Sequence, residues 1–113
     1  MKKNLRIKKR KDFVRVSKSN FSFRANSVVV LCNFNGLNTH RVGFTASKKI
    51  GNAVIRNLCK RRMRAAADII FTKIGLAGID YVLIARKSTD SVNWSLLVEE
   101  ITHAVNFLND KIL

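Results

Sequence analysis

RVGFTASKKIGNAVIRNLCKRRMR, residues 41–64, passes from the alternation of a strand to the wider spacing of a helix. In the first part Val42 and Phe44 alternate with small or polar residues, which predicts a strand over 40–46 with one face in the core. The other face, which starts at Arg41, is expected to be solvated or to form the floor of a groove. In the second part Asn52 is suited to cap a long helix over 52–73, and Gly75 is suited to end it.

The flanking sequence predicts further elements on both sides of this stretch. Phe13 and Val16 share one side of a short predicted helix, and the predicted last helix carries an apolar stripe that includes Trp94, which is therefore expected in the core. The predicted elements outside 41–64 are a helix over 10–18, strands over 21–23, 28–34 and 80–86, of which the last is expected to be buried and central, and a closing helix over 91–110.

These elements predict how the chain is organised. Residues 1–113 are expected to form one α+β domain, a sandwich in the order α-β-β-α-β-α with a small mixed sheet. Turn residues over 35–38 predict that the strands over 28–34 and 40–46 form a hairpin. Residues 1–9 are predicted to be a basic, flexible arm that precedes the first helix.

The charge of the chain indicates its class of partner. The sequence has 22 Lys and Arg residues against 7 Asp and Glu, a net charge of +15, and Asp12 and Asp68 are the only acids among residues 1–75. So large an excess is self-repelling unless a polyanion neutralises it. Nucleic acid is the first expectation, an anionic membrane surface is the second, and charge that serves only solubility is the third.

The predicted long helix concentrates this charge on one side. At helical spacing four cations and Asn57 share an arc of roughly 140°. A solvated face balanced by ion pairs would need acids, and none occurs between residues 13 and 67. The remaining arc is predicted to face the core, with Arg62 as the exception. The polar arc comprises Arg56, Asn57, Lys60, Arg61 and Arg64; the apolar arc comprises Val54, Ile55, Leu58, Cys59, Ala65, Ala66, Ile69 and Ile70.

Residues 41–64, together with Lys11-Asp12-Phe13 and the segment 80–87, resemble the protein subunit of bacterial ribonuclease P. The resemblance implies a ribosomal protein S5 domain 2-like fold. It also implies one catalytic RNA as a 1:1 partner, the 5′ leader of precursor tRNA as a second partner, and endonucleolytic removal of that leader. Chemistry would belong to the RNA and its magnesium, with no cofactor held by the protein and no catalytic residue in it.

The resemblance also assigns roles to particular residues. It implies that Arg56, Asn57, Lys60 and Arg61 contact the catalytic RNA, that Arg64 extends this face, and that Ser47, Lys48 and Lys49 contact RNA ahead of the helix. Phe13, with Arg41 and Cys32, would line a groove for the leader. Three residues depart from the family pattern and predict a weaker grip on RNA: Leu58 in place of an arginine, and Ser17 and Cys32 in place of aromatic residues.

Other classes of protein are less consistent with the sequence. The basic start is followed by no apolar run that would suit a signal peptide or a membrane span, and a cytoplasmic location is expected. Cys32 and Cys59 have neither metal-ligand nor disulfide spacing. A nuclease acting alone would need clustered carboxylates or a paired acid and base. A ribosomal or other structural RNA-binding protein stays open as the main alternative on charge and fold class alone.

Overall fold

The computed structural model describes residues 4–113, and over this range the predicted α+β class and mixed sheet are confirmed. A short 3-10 turn, Lys48–Ile50, leads into the longest helix. The elements are β1 (Leu5–Arg6), α1 (Arg10–Ser17), β2 (Phe21–Arg24), β3 (Val28–Phe34), β4 (Arg41–Thr45), α2 (Ala53–Ile74), β5 (Ile79–Ala85) and α3 (Trp94–Ile112).

The sheet has the order β1-β4-β5-β3-β2. β4 runs parallel to both β1 and β5, whereas β3 is antiparallel to β5 and β2. The predicted hairpin of β3 with β4 is therefore wrong, because β5 lies between them and β3 forms its hairpin with β2. β5 is almost entirely buried along its length, so it takes the central position, where helices cover both faces.

Helices cover the two faces of the sheet unequally. α2 and α3 pack on one face over the main core, to which Tyr81, Phe71 and Met63 contribute the largest side chains. α1 packs on the other face over a smaller cluster. A Cβ at Gly43 would lie only 2.6 Å from Cε1 of Phe13, so this close approach needs glycine. The face of β4 that carries small side chains is thus partly covered by α1.

The segment before α1 is part of the sheet. Leu5 pairs with Arg41 and Arg6 with Val42, and the Ile7 N–H donates to the Val42 carbonyl at 3.0 Å. Ile7 is buried against α1. The prediction of a flexible arm is wrong for residues 5–7, since the free edge of β4 offers backbone partners and the α1 face offers an apolar site. Residues 1–3 of that predicted arm lie outside the described range.

The last helix begins later than the sequence indicated. The Asn93 side chain accepts the Ser95 N–H at 2.9 Å and so caps α3 at Trp94. Trp94 is 41% exposed, and its predicted core position is wrong because the buried face of α3 begins only at Leu97. The rest of the stripe, from Ile101 to Leu108, is in the core as predicted. Within residues 4–113 no helix has the length and apolar character needed to cross a membrane.

Candidate nucleic-acid interface

The long helix α2 is oriented by its cap and by one buried side. Asn52 caps it as predicted, accepting the Ile55 N–H at 3.0 Å, and Gly75 follows its last residue. Its buried residues are Cys59, Met63, Ala66, Ala67, Ile70 and Phe71. This buried side is rotated from the predicted apolar arc: Val54 is 74% exposed, Ile69 is 44% exposed and Ala65 is exposed too, so these three assignments to the core are wrong. The cause is that the sheet packs around Met63, between the two arcs.

The residues of the predicted polar arc of α2 accordingly differ in their exposure to solvent. Asn57, Arg61 and Arg64 are exposed, whereas Arg56 and Lys60 are half-buried. All ion pairs found within residues 4–113 lie elsewhere, so the four cations of this arc have no acidic partner there. The Arg56 Nε is hidden from solvent and has no hydrogen-bond partner among the described residues. The three exposed side chains are thus accessible to a ligand, whereas Arg56 and Lys60 also pack against the rest of the protein.

Arg62, which did not fit the predicted arcs, has a structural position. Its guanidinium donates to the Thr89 carbonyl and to the Val92 carbonyl, each at 2.5 Å. Both acceptors lie in the segment between β5 and α3. Arg62 therefore ties the middle of α2 to the start of α3, and its charge is not presented with the others.

The segment ahead of α2 is also exposed and basic. Ser47, Lys48 and Lys49 are exposed, and the Ile50 N–H donates to the Ser47 carbonyl at 3.0 Å to form the 3-10 turn. An open groove runs beside Ser47 and Lys49. Its other polar walls, which the sequence interpretation did not identify, are Arg24, Asn26, Arg86, Lys87 and Ser88. They come from the β2–β3 turn and the end of β5, so only the sheet brings them near Lys49.

A second groove lies between α1 and the sheet. Phe13 is half-buried and lines it together with Val14 and Ser17 of α1, and with Leu31 and Thr45 of the sheet. The Ser17 hydroxyl donates to the Val14 carbonyl at 2.6 Å, so it is partly satisfied within its own helix. The groove has a volume of about 210 Å³, and its floor is mainly apolar.

Cys32, predicted to line this groove, does not reach it. Along β3 the side chains alternate, and Cys32 points to the α2 and α3 face, where it is fully buried. Burial raises the pKa of its thiol to about 12. Its neighbour Leu31 faces α1 instead. The assignment of Cys32 to the groove is wrong because one step along a strand changes the face of the sheet.

Arg41, also predicted for the groove, is held by a buried carboxylate. Its Nε and one terminal nitrogen donate to the two Asp80 oxygens at 2.9 and 2.7 Å, and Arg15 pairs with the same carboxylate. Asn35 donates to Asp80 at 3.0 Å, and Asp12 lies 3.6 Å from Arg41. We call this group the Asp80 network; it joins α1, the β3–β4 loop, β4 and β5.

The Asp80 network is a structural feature that the sequence interpretation missed. Burial favours the neutral acid, but the hydrogen bonds from Arg41, Asn35 and Arg15 outweigh it and lower the pKa of Asp80. The hydrogen bond to Asp80 also raises the pKa of Arg41. An available signal was Asp80 itself, an acid at the start of an otherwise apolar strand in a chain with only seven acids.

A metal site held by the chain itself would need several ligating side chains close together. Within residues 4–113 no group of three or more His, Cys, Asp or Glu side chains is placed to hold a metal ion. Asp12 and Asp80 do come close, but both are occupied by Arg15 and Arg41. The described residues thus present cations on α2, a groove beside Lys49 and a second groove between α1 and the sheet.

Comparisons with known proteins agree with this arrangement. The family model described as Ribonuclease P matches residues 1–109. The ribonuclease P protein component of Streptococcus pneumoniae serotype 4 is 39% identical over 107 residues, which cover 93% of this chain and 85% of that protein. The structure of the Staphylococcus aureus RNase P protein aligns with a TM-score of 0.76 at 31% identity, over 93% of this chain and 95% of that one.

A more distant structure shows the same architecture. The RNase P protein from Thermotoga maritima aligns with a TM-score of 0.78 at 27% identity, over 90% of this chain and 96% of that one. The family match therefore spans nearly the whole chain, and each of the two structural matches covers at least 90% of it. The chain belongs to the ribonuclease P protein component family.

Proposed function

We propose that this chain is the RNA-binding subunit of ribonuclease P and that it assists the catalytic RNA in removing the 5′ leader of precursor tRNA. The observation that carries the proposal is the exposed basic side of α2. Arg61 and Arg64 project from a helix whose other side is fixed in the core, and no described acid pairs with them. Fixed cations of this kind are suited to bidentate contact with phosphates.

The groove between α1 and the sheet is proposed to hold the single-stranded leader. Its apolar floor and the half-buried ring of Phe13 suit unstacked bases, which single-strand binders commonly stack on aromatic side chains. Ser17 offers no second ring, and Cys32 is absent from the groove, so the stacking surface is small. Arg41 contributes less than the sequence indicated, because Asp80 neutralises it.

Catalysis is proposed to belong to the RNA, with magnesium bound by the RNA and the protein in 1:1 ratio with it. The paired state of Asp12 and Asp80 supports this assignment, since neither carboxylate is available to a metal while the two arginines hold it. The protein would then contribute by binding and orienting the substrate, which lowers the magnesium concentration that the RNA needs.

Reconstitution tests the proposed function directly. We expect the chain, mixed with a bacterial ribonuclease P RNA and precursor tRNA at low magnesium, to restore leader removal that neither component shows alone. A matched basic ribosomal protein at the same concentration serves as control. Cleavage restored equally by that control, or no cleavage with this chain, would reject the proposed function.

Phe13→Ala tests the leader groove. We expect the variant complex to bind precursor tRNA roughly 5- to 150-fold more weakly, since one stacked base contributes about 1–3 kcal/mol, while its affinity for mature tRNA is unchanged. Filter binding with both substrates measures this. Because Phe13 also packs over Gly43, Phe13→Leu is the control: it retains apolar contact with the sheet but provides no ring. Equal losses on precursor and mature tRNA would contradict a leader groove at this position.

A further inference from the structure

A second concentration of positive charge lies at the end of the sheet where β4 begins. The strand pairing of β1 and the first turn of α1 bring four exposed cations around an open pocket of about 390 Å³, beside Asn35 and Leu37 of the β3–β4 loop. We call it the N-terminal basic pocket. Its exposed cations are Arg6, Lys8, Lys9 and Lys11.

The acids beside this pocket do not neutralise it. Asp12 and Asp80 pair with Arg15 and Arg41, and these are the only salt bridges formed within the described residues. Both acids near the pocket are therefore already paired within the Asp80 network, where they stabilise the fold. The lysines that surround it have no acidic partner among the described residues and repel one another.

The position of the lysines is itself unfavourable for the fold. Lys9 is the N-cap of α1 and makes no side-chain capping hydrogen bond, and Lys11 stands in the first turn. The N-terminal end of a helix carries partial positive charge, so Asp12 in the first turn of α1 is favourable there, whereas Lys9 and Lys11 are unfavourable. A capping Ser, Asp or Asn would serve the helix better. Because Lys9 and Lys11 do not stabilise the helix at these positions, they point to a bound anion.

The N-terminal basic pocket is distinct from the basic side of α2 and the segment 47–49 that precedes it. It adjoins Arg41 at the start of β4, whereas the basic segment that leads into α2 follows the other end of that five-residue strand, about 16 Å away. We propose that the N-terminal basic pocket binds a second segment of RNA phosphodiester backbone. The proposal rests on the proposed function, since it assumes an RNA partner, and it adds a second contact to the α2 face.

The opposite effects expected on binding and on stability make the test specific. In a variant with Lys8, Lys9 and Lys11 all replaced by Gln, we expect the affinity for RNA to fall roughly 10- to 100-fold and the slope of log K against log salt to become shallower by about 2 to 3. The midpoint of thermal unfolding should stay the same or rise. A purely structural role for these lysines would lower it.

The matched control replaces Lys18, Lys73 and Lys111 by Gln. It removes the same charge, but these exposed lysines lie at the C-terminal ends of α1, α2 and α3, where cations favour the helix. We expect this control to lose less than about threefold in RNA affinity and to melt slightly lower. Equal losses of affinity in the two variants, or none in the first, would overturn the proposal.

Two arms of the experiment distinguish the source of the phosphates. Titration of the catalytic RNA alone reports contact with that RNA, and titration of precursor and mature tRNA onto the assembled complex reports contact with tRNA. If the pocket variant loses more RNA affinity than its control in either arm, the proposal is supported and the RNA of that arm is the ligand. If it loses no more than its control in both arms, the proposal is overturned. Failure of the unaltered chain to bind catalytic RNA would instead reject the proposed function.

Discussion

Asp80→Asn is expected to destabilise the protein by about 3–5 kcal/mol, the largest effect of any single substitution considered. The carboxylate is fully buried, and it joins Arg15 and Arg41 from two different elements. Removing this buried carboxylate leaves the two guanidinium groups with only the more distant Asp12 as an acidic partner, at 3.7 Å from Arg15 and 3.6 Å from Arg41, and losing one partner of a buried ion pair costs much more than the pair itself contributes. Because domains of this size are stable by only about 5–15 kcal/mol, a partly unfolded population is expected at 37 °C. Urea unfolding followed by circular dichroism measures the change.

Asp110→Asn is the matched control, since Asp110 is an exposed acid on α3 that takes part in none of the ion pairs of the described residues. It should change stability by less than about 0.5 kcal/mol. The network also predicts a pH dependence. Because the native pKa of Asp80 is lowered, its stabilisation is complete above the unfolded value near 3.8 and is lost as the pH falls through the lower native value. An Asp80→Asn variant as stable as the unaltered chain would contradict the assigned role.

Replacing Arg56, Lys60, Arg61 and Arg64 together by Gln is expected to reduce affinity for the catalytic RNA about 10²- to 10³-fold near physiological salt. About five phosphate contacts, these four and one lysine of the 47–49 segment, are expected to contribute roughly −3 to −4 to the slope of log K against log salt, and the N-terminal basic pocket adds its own contribution to the total. The four substitutions should make this slope shallower by about 3, which corresponds to the four contacts removed. Filter binding across a salt series measures both quantities.

The structure adds a distinction within that set. Arg61 and Arg64 are exposed, whereas Arg56 is half-buried with its Nε hidden, so Arg56→Gln should lower stability as well as affinity. A double variant of Arg61 and Arg64 is therefore the cleaner measurement, with thermal melting as the check on folding. Its control is Lys73 and Lys111 replaced by Gln, which removes the same charge from other surfaces. Unchanged RNA affinity in the fourfold variant would remove the basis of the proposed function.

The sequence was informative wherever one local pattern was sufficient. Asn52 and Gly75 mark the ends of α2 because capping depends on a residue and its immediate neighbours. The boundaries of β3 were predicted to the residue, since a β-branched apolar run has few alternatives. The same locality explains the failures: nothing in 28–46 states that β5, some 40 residues later, will separate β3 from β4.

Side-chain direction was the other limit. The arcs of α2 were predicted from periodicity, which gives the angles between residues around the helix but not which side faces the sheet. In the structure the side that faces the sheet leaves Val54 exposed to solvent and makes Arg56 half-buried. Cys32 was placed in the groove by resemblance, and the alternation of β3 in its actual register turned it to the opposite face.

By itself, therefore, the sequence determined the order of the elements from α1 onward, the α+β class, the excess of charge on one helix and the resemblance to the ribonuclease P proteins, since all of these are recorded in neighbouring residues. Only the tertiary structure decided that Asp80 gathers Arg15 and Arg41, that Ile7 closes the sheet edge, and that four cations surround one pocket. The physical reason is that these groups are distant in the chain and meet only when strand pairing fixes their places.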